Sequence, residues 1–314
     1  MDNPHDKLFR FTFADPEEAA PLLRSILPRA LSETIEWSTL TLVSGAFVSE
    51  ALEERRSDLL FSVEDTSEET HLIYLLLEHQ TLPDFMMAAR MYEYVALILS
   101  EWRRAHPEAK VLPRVVPIVL YSGTRPWRAP TAVEELFDAD RAEPWMPRMS
   151  FLLEVLGEAS DQDLARKTLR AFGELSLRAL ARLPKSEDPV AEITGWVPLL
   201  LVMLRESNGL ARLRALIEYL SRVADVEPEA LQPVMRQLGT AAEETAMTLA
   251  ERLMERGRAD GQIKLLLKML GLRFGTLPPE ISARLEAGTE ADLERWAERL
   301  LVAASLEEVF DAPK

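Results

Sequence analysis

The chain has 314 residues, 47% of them apolar and 28% charged, with 36 basic against 52 acidic side chains and a net charge of −16. That composition belongs to a globular chain of one large domain or two to three smaller ones, and it excludes a disordered polypeptide. The absence of cysteine excludes disulfides, cysteine-ligated zinc, iron–sulfur clusters and thiol catalysis.

Met1-Asp2-Asn3-Pro4-His5 has neither the basic head nor the apolar stretch of a secretory signal. The longest apolar run, Trp196 to Leu204, is about half of what a bilayer span requires, so a cytoplasmic location without membrane contact is the expectation. Asp6 to Phe13 sets Leu8, Phe9 and Phe13 at near-helical spacing. Asp15-Pro16-Glu17-Glu18 then reads as a helix start, with Asp15 as N-cap, proline at the first position and Glu18 closing a capping box, and Pro28 ends that helix. Leu40 to Val48, Asp58 to Val63 and His71 to Gln80 read as strands, the last two separated by the acidic, turn-like Glu64 to Thr70. From Asp84 the period becomes 3.6, with Met87, Met91, Tyr94, Ile98 and Trp102 on one stripe of a long helix. Val115 to Tyr121 is a continuous apolar strand, as expected at the centre of a sheet, and Ser122-Gly123 breaks it.

Beyond about residue 150 the strand signals vanish, and helix is expected throughout. Ser160 with Asp163 and Thr240 with Glu243 mark helix starts, and Pro184, Pro189, Gly209, Pro228, Pro233, Gly257 and Gly275 punctuate the helices. The Met86-Met87 pair and the tryptophans are read as core. The order is α-β-β-β-α-β followed by helices: an α/β domain over residues 1–150, a helical region over 151–235 and a small helical domain over 236–314.

No phosphate-binding glycine loop, Gly-x-Ser-x-Gly elbow or His-Glu-x-x-His pair occurs. The remaining chemical signal is carboxylates at strand ends. Glu78 closes Ile73-Tyr74-Leu75-Leu76-Leu77, which is apolar on both faces, and a carboxylate there is costly unless paired or bound to a cation. Gln80 shares its face by strand alternation, and His79 points away. A hairpin centred near Ser67 sets Asp58 opposite Glu78 to within two residues. Two such carboxylates and a backbone carbonyl form an oxygen nest suited to Mg²⁺. At the level of spacing alone, solvated or salt-bridged carboxylates remain the alternative.

His5-Asp6-Lys7-x-Phe9, Arg56-Ser57-Asp58-Leu59-Leu60, Glu78-His79-Gln80-Thr81, Arg90-x-x-x-Tyr94 and Pro117-Ile118-Val119-Leu120-Tyr121-Ser122-Gly123 follow one another in that order. Together they resemble the Rpn family of recombination-promoting nucleases, within the PD-(D/E)XK nuclease superfamily, over residues 4–125. The resemblance implies a restriction-endonuclease-like mixed sheet flanked by helices, followed by an all-helical C-terminal region. Leu265 to Gly275 with Leu277-Pro278-Pro279-Glu280 is similar to a small helical domain often appended to that family. The implied activity is Mg²⁺-dependent endonucleolytic hydrolysis of DNA, with Mn²⁺ as a substitute metal, promoting recombination or mobile-element movement. Asp58 and Glu78 would be metal ligands, with the backbone carbonyl of His79 between them. Gln80 stands where the superfamily has lysine, so it can orient a water but supplies no positive charge. Thr81 replaces a more frequent serine. Asp6 would add a further acidic group, while Arg90, with Arg56 and Tyr94, would meet substrate.

Charge and motif leave a rival reading open. Residues 1–150 carry 15 basic and 25 acidic side chains, a balance of −10, so DNA binding is expected to be weak and salt-sensitive. Arg55-Arg56, Arg103-Arg104, Arg125 and Arg128 are candidates for a basic rim. A catalytically weak or inactive protein on the same fold, acting as a binding module, is the alternative. Arg90 and Tyr94 share a helix face as either a structural pair or a substrate contact, and His5 is either a proton shuttle or an ordinary helix-start residue. The C-terminal helices suit partner contact or self-association.

Overall fold

The computed structural model describes residues 3–43, 59–66, 72–138, 143–157 and 159–310. Two compact units divide it, Met1–Thr245 and Ala246–Lys314.

The first unit opens with α1 (Pro4–Phe13) and α2 (Pro16–Ile26), then the single turn α3 (Arg29–Ser32). Asp15 caps α2 by accepting from the Glu17 amide. Glu18 does not complete the expected capping box; its Oε2 accepts instead from the Gly173 amide at 2.9 Å, because tertiary packing offers this buried carboxylate a better donor. Among the described residues five strands follow: β1 (Ile35–Leu42), β2 (Leu59–Asp65), β3 (Leu72–Gln80), β4 (Arg114–Tyr121) and β5 (Leu152–Val155). They form one mixed sheet in chain order. β1–β2 and β2–β3 are antiparallel, whereas β3–β4 and β4–β5 are parallel. The first strand begins earlier than the apolar run suggested, and the rest of that run, with Asp58, Arg56 and His71, lies outside the described residues.

β5 corrects the expectation of helix throughout the chain beyond residue 150. Its four residues are all half-buried and show no alternation to read. They become a strand because β4 offers an edge. Pairing with β5 starts at Ile118, immediately after Pro117, whose nitrogen has no proton to give a ladder.

α4 (Met87–Ala105) is the crossover joining parallel β3 and β4. All five residues of its expected stripe are buried, against Leu60, Tyr74, Leu76 and Val119 on one face of the sheet. Each such side chain contributes about 1.5–3 kcal/mol when fully buried. Of the expected core residues, Met87 is buried but Met86 and Trp145 are exposed. On the opposite face Phe9 of α1 stacks on His79 of β3 at 4.9 Å between ring centroids. With helices on both faces and strands on both sides, β3 is apolar on both faces from Ile73 to Leu77 for a physical reason.

The unit continues through α5 (Asp161–Arg166), α6 (Ala171–Arg182), α7 (Pro189–Gly195), α8 (Val197–Leu204), α9 (Gly209–Val223) and α10 (Gln232–Leu238). Ser160 and Asp163 form the expected capping box. α6 and α9 pack on α1, and Thr12 bonds Ser176 at 2.8 Å. Buried Glu18 is held there by Arg212 at 3.0 Å and Arg170 at 3.6 Å.

α11 (Thr240–Phe274) runs without a break through Gly257, correcting the expectation of a stop there. A single glycine weakens a helix by about 1 kcal/mol and does not by itself end it. The second unit adds α12 (Pro279–Glu286), α13 (Glu290–Val302) and α14 (Leu306–Phe310). Its core holds Leu266, Leu270, Leu285, Leu293, Trp296 and Phe310, while Leu265 is exposed. No helix among the described residues is long and apolar enough to cross a membrane.

Candidate active site at the carboxyl ends of β3 and β4

Alternation along β3 sends Glu78 and Gln80 toward α4 and His79 toward α1. Glu78 is fully buried, and its Oε1 accepts from Gln80 Nε2 and, at 3.1 Å, from Arg90 Nη2. Its Oε2 has no hydrogen-bond partner among the described residues. A carboxylate oxygen left dry and without a donor is costly, and a hard divalent cation would satisfy it, so the residues present fit one. No cluster of three His, Cys, Asp or Glu side chains suited to a metal occurs among the described residues.

Arg90 organises this side of the sheet. Its Nη2 also donates to Tyr94 Oη at 3.2 Å, and its Nη1 donates to Asp84 Oδ2 at 2.9 Å. Asp84 in turn accepts from the Met86 amide at 2.9 Å, fixing the turn into α4. Burial pushes the Asp84 carboxyl up, but the Arg90 and Met86 hydrogen bonds outweigh it and hold the group below the ordinary carboxylate value. Burial likewise disfavours the Arg90 charge, and the bonds to Asp84 and Tyr94 more than restore it. Arg90 and Tyr94 are therefore bonded to each other and to the site.

The other face holds a separate chain of contacts. His79 is buried, with Nδ1 at 3.2 Å from Asp6 Oδ1 and Nε2 at 3.0 Å from Ser122 Oγ. Asp6 is thus brought to His79 rather than to Glu78. His5 lies against Tyr219, Nδ1 to Oη 2.9 Å, and burial foremost lowers its pKa.

β3 and β4 end together. The Ser122 amide donates to the Gln80 carbonyl at 3.0 Å. A side chain at Gly123 would collide with the Thr81 carbonyl and the Tyr121 hydroxyl, so only glycine allows the chain after β4 to close over Thr81. Arg125 and Arg128 follow as exposed residues. Arg103 and Arg104 are exposed at the end of α4, Arg104 paired with Glu101 at 2.8 Å.

The structure thus brings together Glu78, Gln80, Arg90 and Tyr94, and sets Asp6 and the His79 ring on the far face. Asp58 and Arg56 lie outside the described residues. Sequence reasoning missed Asp84 and Ser122. Asp84 carried a signal, since proline-aspartate directly before an apolar 3.6-residue period marks a helix start; Ser122 carried none beyond ending a strand.

The sequence profile described as "Putative transposase, YhgA-like" matches residues 3–198, the sheet and the helices that cover it. The chain belongs to this family. Within it, similarity extends over most of the chain to curated relatives. The recombination-promoting nuclease RpnD of Escherichia coli O157:H7 is 27% identical over 80% of this chain and 94% of its own length. The recombination-promoting nuclease RpnA of Escherichia coli K12 is 26% identical over 85% and 89%. A relative named as an inactive recombination-promoting nuclease-like protein, RpnE of the same strain, is also 26% identical, over 87% and 91%. No solved structure matches.

Proposed function

We propose that this YhgA-like chain is a metal-dependent DNA endonuclease whose cutting promotes recombination or mobile-element movement, as the names of its relatives RpnD and RpnA suggest. The observation that carries the proposal is the buried Glu78 at the end of β3, with one oxygen bonded to Gln80 and Arg90 and the other without a partner among the described residues. The second ligand, Asp58, is carried by the family resemblance and lies outside the described residues, which begin again at Leu59, paired with Leu77.

Asp58, Glu78 and the His79 carbonyl would hold Mg²⁺ or Mn²⁺. Such an ion, when bound, polarises the phosphodiester and lowers the pKa of water. Gln80 has an amide beside Glu78 with which to orient a water toward phosphorus. It brings no charge, and Arg90, bonded to the same carboxylate oxygen, is the cation that can neutralise a phosphate there. Tyr94 and Asp84 fix the guanidinium for that role. DNA binding is weak and salt-sensitive, because the net charge is −16.

The test is plasmid cleavage in Mg²⁺ or Mn²⁺ by wild type, Asp58→Ala and Glu78→Ala. Both variants should lose metal-dependent cutting, and wild-type rates in both would refute the assignment. A second reading, a nuclease fold used only for binding, is favoured by Gln80 in the lysine position and by the relative named inactive. Calorimetric titration separates the two: the nuclease binds Mn²⁺ through Glu78, whereas a binding module shows no heat that Glu78→Ala removes.

A further inference from the structure

Two turns flank the candidate site and touch each other. The turn after β3 runs from Thr81 to Met86, and Leu82, Phe85 and Met86 expose 62%, 65% and 51% of their surface. This turn is fixed: the Met86 amide and Arg90 both donate to Asp84, and the same Arg90 reaches Glu78. The turn after β4 closes over Thr81 at Gly123 and presents Arg125 and Arg128 to solvent. An apolar prow and a pair of arginines therefore stand side by side at the carboxyl ends of two parallel strands, where open α/β sheets bind ligands.

We propose that Leu82, Phe85 and Met86 form a wedge that enters a base step of duplex DNA and kinks it beside Glu78, with Arg125 and Arg128 on the flanking phosphates. The choice of DNA as partner rests on the nuclease reading; the mode of recognition is additional to it. Phe, Leu, Ile, Met and Pro are the side chains that proteins insert between stacked base pairs. Three of these five residue types are exposed here on one short, rigid turn, with Pro83 between them. A wedge also answers the charge problem. A chain of −16 gains little from phosphate neutralisation, so contact with base faces must supply more of the affinity. Steps that unstack easily, pyrimidine–purine steps above all, are the expected sites of engagement.

The experiment uses the full chain with short duplexes carrying 2-aminopurine at a pyrimidine–purine step, in EDTA so that nothing is cut. Wild type should raise 2-aminopurine fluorescence on binding, and Phe85→Ala should abolish the rise and weaken binding by about tenfold or more. A duplex with a one-nucleotide bulge, already unstacked, should restore Phe85→Ala to within a few-fold of wild type. The salt slope should be unchanged in Phe85→Ala and reduced by about 0.9 in Arg128→Ala. Phe85 is exposed, so the variant should melt like wild type. Undiminished fluorescence and affinity in Phe85→Ala would overturn the wedge. So would a change in oligomeric state by light scattering, since the patch would then be a subunit contact. Failure of the nuclease reading looks different: no metal-dependent plasmid cutting by wild type, whatever Phe85→Ala does to binding.

Discussion

Arg90→Ala probes the link between folding and the candidate cation site. It removes the guanidinium from Glu78 and Asp84 and leaves Glu78 buried. Breaking one half of a buried ion pair costs about 3–5 kcal/mol when the remaining charge stays dry. Two features reduce that figure: Gln80 still donates to Glu78 Oε1, and the Arg90 side chain is 29% exposed, so truncation admits water. The expected loss in EDTA is about 2–3 kcal/mol, or about 4–12 °C in melting temperature for a unit of this size. A divalent ion bound only by the folded state adds about 2.7 kcal/mol at a hundredfold its Kd. In the variant that ion meets a carboxylate no longer neutralised by arginine, so Mg²⁺ should stabilise Arg90→Ala more than wild type. Scanning calorimetry in EDTA and in MgCl₂ reads both effects, with the Arg90→Ala/Glu78→Ala double variant as control. Equal Mg²⁺ shifts in all three proteins would refute a cation at Glu78. Wild-type melting of Arg90→Ala in EDTA would refute the role of the ion pair.

Glu18→Gln tests a second buried carboxylate. Burial foremost raises the Glu18 pKa above its ordinary 4.5, with Arg212 opposing, so the folded protein holds this proton more tightly than the unfolded chain. That contribution is complete below pH 4.5 and is lost as pH rises through the folded value, so Glu18→Gln should gain on wild type between pH 4.5 and pH 7 in urea unfolding; no pH-dependent difference would contradict it. Gly123→Ala should separate the ends of β3 and β4 at a cost of about 1–3 kcal/mol and reduce cutting, as read by melting temperature and plasmid assay. A chain ending at Thr245 keeps the whole first unit and should unfold cooperatively and retain metal-dependent cutting; a folded but inactive product would place part of the site in the second unit.

Periodicity made much of the fold legible. The two-residue period of β3 separates Glu78 and Gln80 from His79, and the 3.6-residue period of α4 buries Met87, Met91, Tyr94, Ile98 and Trp102 together. Both follow from backbone geometry that any local stretch carries with it. The observed β2–β3 register, Leu59 with Leu77, agrees with the hairpin read from the sequence. β5 was illegible because its four residues have no pattern of their own and depend on the edge that β4 presents. The capping box expected at Glu18 failed because a donor from Gly173, far along the chain, won the carboxylate.

The sequence by itself determined which residue types stand at the ends of β3 and β4 and which face of the strand each occupies. Only the tertiary structure decided their partners. It brought Arg90 to Glu78 across a helix-to-strand packing and Asp6 to His79 over 73 positions of chain, and set Ser122 beneath the same imidazole. Local propensity acts over a few residues, whereas the pairing of a buried charge is settled by whichever donor the closed fold holds within hydrogen-bond reach.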